Sequence, residues 1–259
     1  MIFCRFCGTK EIQFRKSGKF GCIHCAQIFN YPKPNRRTKI PESIIETLES
    51  FVKTNAKSLR LLSFRTRITR NLKSSLFPFY DPLFEKSKQL LVEVGLGSQL
   101  YSDADLPSLD STEKPEPRMG FYLGSEDHVR WEEISLQAFA NRNQNLTQKK
   151  QRIGLFRFLF QKSHWAEFPE IGFVSSCPTN LGTGRRDSIL LELDPEVSLQ
   201  FFSILQTLPE FGIEFAPSTD HRMRNFGKDR VLVVKISWKN VLAVQKRQFY
   251  KILGLLGSY

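Results

Sequence analysis

The stretch Ser175–Ser188, S-S-C-P-T-N-L-G-T-G-R-R-D-S, decides how the rest of the chain is read. A short apolar run, Ile171–Val174, precedes it and a second, Ile189–Leu193, follows it. Both runs read as strands. A loop between two strands that holds a cysteine, an asparagine, two glycines and two arginines is badly matched to core packing. Gly182 and Gly184 would let the backbone approach a ligand closely, and exposed amides beside Arg185 and Arg186 would make an anion cradle. Cys177 lies next to these cations, the electropositive setting that reactive thiols use. Composition alone leaves an equal alternative, a solvated hairpin loop with an inert cysteine. A P-loop is excluded, because no Lys-Ser/Thr follows the glycines.

Working outward, 259 residues suffice for one sizeable core plus a small appended module. No apolar run approaches the ~18–20 residues needed to span a membrane, and no signal peptide is evident. The expectation is a soluble, cytoplasmic protein with no membrane partner. Of the five cysteines, four fall in the first 25 residues as two C-x-x-C pairs, Cys4/Cys7 and Cys22/Cys25. That arithmetic favours a metal site and one free thiol over a disulfide framework. The pairs have the spacing of a four-cysteine zinc ribbon, with structural Zn²⁺ held by thiolates and the intervening segment folding back as a hairpin through turns at Gly8 and Ser17-Gly18. His24 lies inside the second pair but finds a tetrahedral site already full, so it reads as a bystander.

Charge is placed unevenly. Residues 1–40 hold nine Lys/Arg against one acid, Glu11, so they carry +8 of the net +12. With Phe3, Phe6, Phe14, Phe20 and Phe29 this would suit nucleic acid, although so small a module also needs aromatics for its own core. Tyr31–Pro41 reads as an extended linker, and from Glu42 the spacing of Ile44, Ile45, Leu48, Phe51 and Val52 predicts a helix. In Leu62–Leu72, Arg65 and Arg67 alternate, so on a strand both point to one face, where two guanidinium forks suit a polyphosphate. Met119–Leu123 predicts a strand leading into Glu126-Asp127-His128-Val129-Arg130, which gathers an acid, a titratable imidazole and a cation. On local pattern Asp127 would cap a helix, and Val129–Phe160 reads as helical, with Ile134, Phe139, Leu155, Phe158 and Leu159 in the core. Helices are also expected over Glu85–Val94, Pro195–Leu208 and Asn240–Leu256, and a strand over Arg230–Trp238.

The order C-P-T-N-L-G-T-G-x-R resembles the signature of the ATP:guanido phosphotransferases, the phosphagen kinases, and in particular the bacterial protein-arginine kinases. L-S-F-R-T-R-I-T-R-N-L resembles the family's S-S-R-x-R-x-x-R-N segment, with Phe64 where Ser is usual, and E-D-H-V-R resembles its N-E-E-D-H-L-R. The resemblance covers about residues 60–240. It implies an α+β fold with an antiparallel sheet flanked by helices, here preceded by the zinc ribbon. The domains expected are a ribbon over 1–30, a linker and helix over 31–59 and a guanido-kinase-like catalytic domain over 60–259. It also implies Mg²⁺-assisted transfer of the ATP γ-phosphoryl group to a guanidinium, with protein arginine as the expected acceptor. By position Glu126 would deprotonate the acceptor and Cys177 would align it, while Arg65, Arg67, His128, Arg130 and Arg186 would contact ATP. Cys4, Cys7, Cys22 and Cys25 would hold zinc. A similar ribbon occurs in the activator that partners such kinases, so a protein partner is favoured for the ribbon over nucleic acid.

The chain also departs from the family. Gly124 and Ser125 replace Asn-Glu, and the loop motif R-G-x-x-G-E is gone from the region 215–231, where Arg222 or Arg224 and Asp220 or Asp229 are the remaining substitutes. No Glu follows Glu214. The alternative to an enzyme is therefore a catalytically impaired pseudokinase, a nucleotide-binding or ribbon-based regulator of a partner.

Overall fold

Strand β1, Leu59–Arg70, runs through the middle of the sheet, with its side chains alternating between two unlike environments. The computed structural model describes residues 2–31, 39–73, 79, 84–101, 118–124, 126–135, 146–217, 232–239 and 243–253. Within these, β1 is joined by β2 (Leu100–Tyr101), β3 (Arg118–Leu123), β4 (Val129–Ser135), β7 (Arg185–Leu193), β8 (Ile213–Pro217) and β9 (Leu232–Lys239). They form a seven-stranded sheet of order β2-β3-β4-β1-β7-β9-β8, antiparallel except for the short β2–β3 pair. A separate small ribbon pairs β5 (Glu167–Phe168) with β6 (Gly172–Phe173), just ahead of the signature loop.

One face of the sheet carries the apolar positions and the helices. Phe64, Ile189, Leu191, Val234, Ile236 and Trp238 pack against α3 (Glu42–Thr54), α6 (Pro195–Leu205) and α7 (Ala243–Ile252). The predicted spacing in α3 buries Ile45, Leu48 and Phe51, and Phe51 stacks on Phe201 of α6 with ring centroids 5.2 Å apart. Ile68, Phe121, Val129 and Trp131 meet α5 (Leu146–Phe160) through Leu155, Phe158 and Leu159, with Leu91 of α4 (Glu85–Glu93) in the same cluster. Truncating a fully buried ring such as Phe201 to Ala would cost about 3–5 kcal/mol.

The expected helix over 129–160 is two elements. Residues 129–135 are a strand paired on both sides, and the helix begins at Leu146. Two adjacent glutamates disguise the alternation that matters: Val129 and Trp131 point into the core, while Arg130 and Glu132 alternate with them toward the opposite face. Pairing between β1 and β3 overrides local helix preference. Ile134 is half-buried, and Phe139 lies outside the described residues. Asp127 caps no helix.

The cysteine module departs from the expected hairpin. Between the two pairs lies helix α1 (Glu11–Ser17), with a single backbone bridge, Phe3 to Lys10, beside it. Lys10 N donates to Gln13 at the start, Glu11 and Arg15 pair at 2.7 Å along one side, and Gly18 ends the helix in the left-handed conformation (φ 66°). After the second pair, Cys25–Ile28 form a single turn, α2. Phe14, Phe20 and Phe29 do supply a core, whereas Phe3 and Phe6 stay exposed. That core is shared: it continues into Phe79, Ala166, Val174 and Leu181 of the main domain.

Candidate active site

On the sheet face opposite the helices, register sets one row of charge across four strands. Glu132 of β4 pairs with Arg67 of β1, Arg67 with Arg186 of β7, and Arg186 with Lys239 of β9. Period-two alternation adds Arg65 beside Arg67, Arg130 beside Glu132, and Lys235 and Ser237 beside Lys239. The Glu132 carboxylate accepts from Arg65 Nη2 at 2.5 Å and from Arg67 Nη2 at 3.3 Å. Burial pushes that carboxyl up, but Arg65 and Arg67 more than offset it and hold it below the usual range. Arg186 Nη2 donates to Ser237 Oγ at 3.2 Å and lies 3.9 Å from Glu214. The Arg130 guanidinium stacks on Tyr122, 4.7 Å from the ring centre.

These cations exceed their counter-charges. Burial, with Arg65 adding repulsion, brings Arg67 down to about 10, and the same two causes bring Lys235 down to about 8. Among the described residues, the buried Nε donors of Arg65, Arg130 and Arg186 lack an acceptor. Buried donors without partners are costly, and a polyanion would satisfy them.

Glu126 and Cys177 come from loops that one carboxylate ties together. Asp127 Oδ1 accepts from Ser176 N at 2.6 Å and from Asn71 Nδ2 at 2.7 Å, although burial pushes its carboxyl up. Its chain neighbour is Glu126, and the neighbour of Ser176 is Cys177, so the bond ties together the two segments that carry the candidate catalytic residues. Cys177 Sγ lies 3.1 Å from Thr179 Oγ1. Glu126 is exposed and pairs with Lys19 of the cysteine module at 3.0 Å. His128 is buried, and its Nδ1 accepts from Leu72 N at 3.0 Å, so the ring proton sits on Nε2.

Gly184 of the signature loop is packed tightly against protein. A side chain at Gly184 (φ 60°) would strike Thr69 O at 2.7 Å and the Arg70 guanidinium at 2.4 Å. Arg70 itself is buried, lies 3.8 Å from the Phe173 ring centre and donates to Leu159 O and Thr183 O, anchoring the loop to the end of β1. Arg185 and Arg186, expected to act together, sit on opposite faces because β7 begins at Arg185. Arg185 pairs with Asp187 at 3.0 Å on the helix side, where Lys246 of α7 also reaches Asp187.

A family model of the "ATP:guanido phosphotransferase, C-terminal catalytic domain" matches residues 112–221, which include both the Glu126–Arg130 cluster and the signature loop. The protein-arginine kinase of Staphylococcus haemolyticus is 24% identical over 198 residues, 64% of this chain and 55% of that protein. That of Staphylococcus aureus strain Mu3 is 22% identical over 200 residues, 66% of this chain and 57% of that protein. The chain thus spans just over half the length of these relatives. The duplicated taurocyamine kinase from Schistosoma mansoni, solved with transition-state analogue components, shares the fold with a TM-score of 0.50 at 13% identity, covering 92% of this chain and 40% of that one.

Outside the matched residues, the cysteine module holds a metal-ready cluster. The sulfurs of Cys4, Cys7, Cys22 and Cys25 all lie within 4.8 Å of one another, with Cys4–Cys22 at 3.6 Å, Cys7–Cys25 at 3.4 Å and Cys22–Cys25 at 4.0 Å. A tetrahedral zinc with bonds near 2.3 Å would set sulfur–sulfur edges of ~3.8 Å, so the residues fit the ion. His24 stacks on Phe6 at 3.7 Å and is not among the cluster's ligands. Ser125, Asp220, Arg222, Arg224 and Asp229 lie outside the described residues. No helix among the described residues is long and apolar enough to cross a membrane.

Sequence reading missed Glu132, Lys235 and Glu214. The signal existed for the first two: Glu132 stands two residues beyond Arg130, and Lys235 two before Ser237, on strands whose alternation puts them on the cationic face. Glu214 enters only because β8 is the edge strand beside β9, where it also pairs with Lys239 at 2.7 Å.

Proposed function

We propose that this chain transfers the γ-phosphoryl group of ATP to a guanidinium, that of arginine in a protein. The observation that supports the reading is the Asp127–Ser176 bond, which ties the segment that carries Glu126 to the one that carries Cys177, in the same fold as the partnerless arginine donors. Arg65, Arg67, Arg130 and Arg186, with Lys235, would hold the phosphates, and His128 would help to position the nucleotide. Mg²⁺ bound with the nucleotide would supply charge neutralisation on the phosphates beside these cations. Glu126 takes a proton from the acceptor guanidinium, whose nitrogens otherwise have no lone pair to offer. The freed nitrogen bonds to the γ-phosphorus, the bond from that phosphorus to the bridging oxygen breaks, and ADP leaves. Cys177 would align the acceptor. Catalysis of this kind rests on positioning and electrostatics.

The same reading divides the chain into the zinc module at 1–30, a linker and helix at 31–59 and the catalytic domain at 60–259. The module would serve protein contacts, and the protein would work in the cytoplasm. A catalytically impaired regulator gains no support among the described residues.

The test offers Mg-ATP with either an arginine-rich protein or free arginine as acceptor. Acid-labile phosphoarginine on the protein, in excess over that on free arginine, is the expected result. Transfer to free arginine alone would overturn the acceptor assignment, and no transfer to either would overturn the reading.

A further inference from the structure

The loop linking α1 to the second cysteine pair is pinned against the acceptor side of the site. Phe20 N donates to Ser176 O at 2.7 Å, Phe79 N donates to Gly21 O at 2.8 Å, and both phenylalanines are buried in the cluster shared by the module and the main domain. Ser176 is also the residue whose N–H bonds Asp127. Three chain segments therefore meet at one knot: Lys19-Phe20, Glu126-Asp127 and Ser176-Cys177. The backbone around Lys19 is set by Gly18 in the left-handed conformation before it and by the Phe20 bond after it. From there the Lys19 ammonium lies 3.0 Å from Glu126 Oε1, with the lysine side chain 36% and the glutamate side chain 49% exposed.

We infer that Lys19 is an internal competitor that occupies the guanidinium position on Glu126 and must be displaced by the acceptor. The inference rests on the proposed role of Glu126 as the acceptor's carboxylate. Its physical basis is competition for one anion. An ammonium offers a single point of charge, whereas a guanidinium can engage both carboxylate oxygens in a planar fork, so arginine displaces Lys19 where an incoming lysine gains nothing over it. An exposed pair of this kind is weak, which suits an occupant that has to leave. A buried pair would have locked the site. The module thus contributes a side chain to the acceptor site.

The test measures binding of a blocked single-arginine peptide and its lysine counterpart to the full zinc-loaded chain, without ATP, so that turnover does not enter. Wild type is expected to bind the arginine peptide and to discriminate against lysine. Lys19→Gln should bind the arginine peptide about two- to five-fold more tightly with its preference over lysine unchanged, and Lys19→Arg should be no tighter than wild type. In a Glu126→Gln background the gain from Lys19→Gln should vanish. Unchanged or weaker arginine-peptide binding by Lys19→Gln would overturn the inference, as would undetectable binding to both proteins or a gain that survives Glu126→Gln. Failure of the catalytic reading would look different: wild type and Lys19→Gln would both form no phosphoarginine while the affinity difference stood.

Discussion

The half of this site proposed to hold the phosphates and the half proposed to hold the acceptor are built by different means. Arg65, Arg67, Arg130 and Arg186 stand on three strands whose register is fixed by hydrogen bonds on both sides, and Glu132 ties two of them together from a fourth position in the same row. Glu126 and Cys177 stand on loops joined through Asp127, Ser176 and the cysteine module. The first half loses little when a loop changes, because sheet pairing carries it. The second depends on a few bonds between segments far apart in sequence. The resemblance in sequence follows the same division: the arginine positions match the motifs of the kinases the chain resembles, while Gly124, Ser125 and the region 215–231 do not.

The largest effect should come from removing the metal or one of its ligands. Chelation, or Cys25→Ser, should unfold the cysteine module, read as loss of protease resistance over residues 2–31, since a structural zinc contributes on the order of 10 kcal/mol to such modules. If the halves are built as described, phosphoryl transfer should fall with it while ATP binding survives, because the module packs against Ser176 and Phe79 and the arginines stand on the sheet. Equal loss of both would break the comparison.

Arg67→Met should weaken ATP binding by roughly 10- to 100-fold, as it removes a charged donor and leaves the Glu132 carboxylate less compensated. Arg185→Met, one residue from Arg186 but on the helix side, should instead lower stability, by about 1–3 kcal/mol, and leave ATP affinity near wild type. Calorimetry and thermal unfolding on the two variants separate these outcomes.

A smaller effect sharpens the charge balance of the phosphate face. Lys235, brought down to about 8, is cationic below that pH and becomes neutral as pH rises through it. ATP affinity should therefore be full below about pH 8 and decline above it. If bound phosphate raises this lysine by one unit, the decline is at most about tenfold. Lys235→Met should bind more weakly at pH 7 and lose this part of the pH dependence.

Much of the cationic sheet face was legible in the sequence, because alternation is a local signal. Arg65 and Arg67 needed only the recognition of one strand. The same rule would have placed Glu132, but Glu132-Glu133 beside Trp131 reads as readily as a helix when pairing partners are unknown. It would also have separated Arg185 from Arg186, had the start of β7 been read at Arg185 and not at Ile189. The acceptor side was legible only as motif. That Asp127 bridges to Ser176, that Gly184 clears room for Arg70, and that Lys19 reaches Glu126 are contacts across long sequence separations, and no local periodicity encodes them.

The most direct test of the central claim separates the two halves in one pair of variants. ATP binding and phosphoryl transfer to an arginine-rich protein would be measured on Glu126→Gln and Arg67→Met beside wild type. The account predicts that Glu126→Gln binds ATP as wild type does and transfers at least about 100-fold more slowly, while Arg67→Met binds ATP roughly 10- to 100-fold more weakly. Wild-type transfer by Glu126→Gln would contradict it.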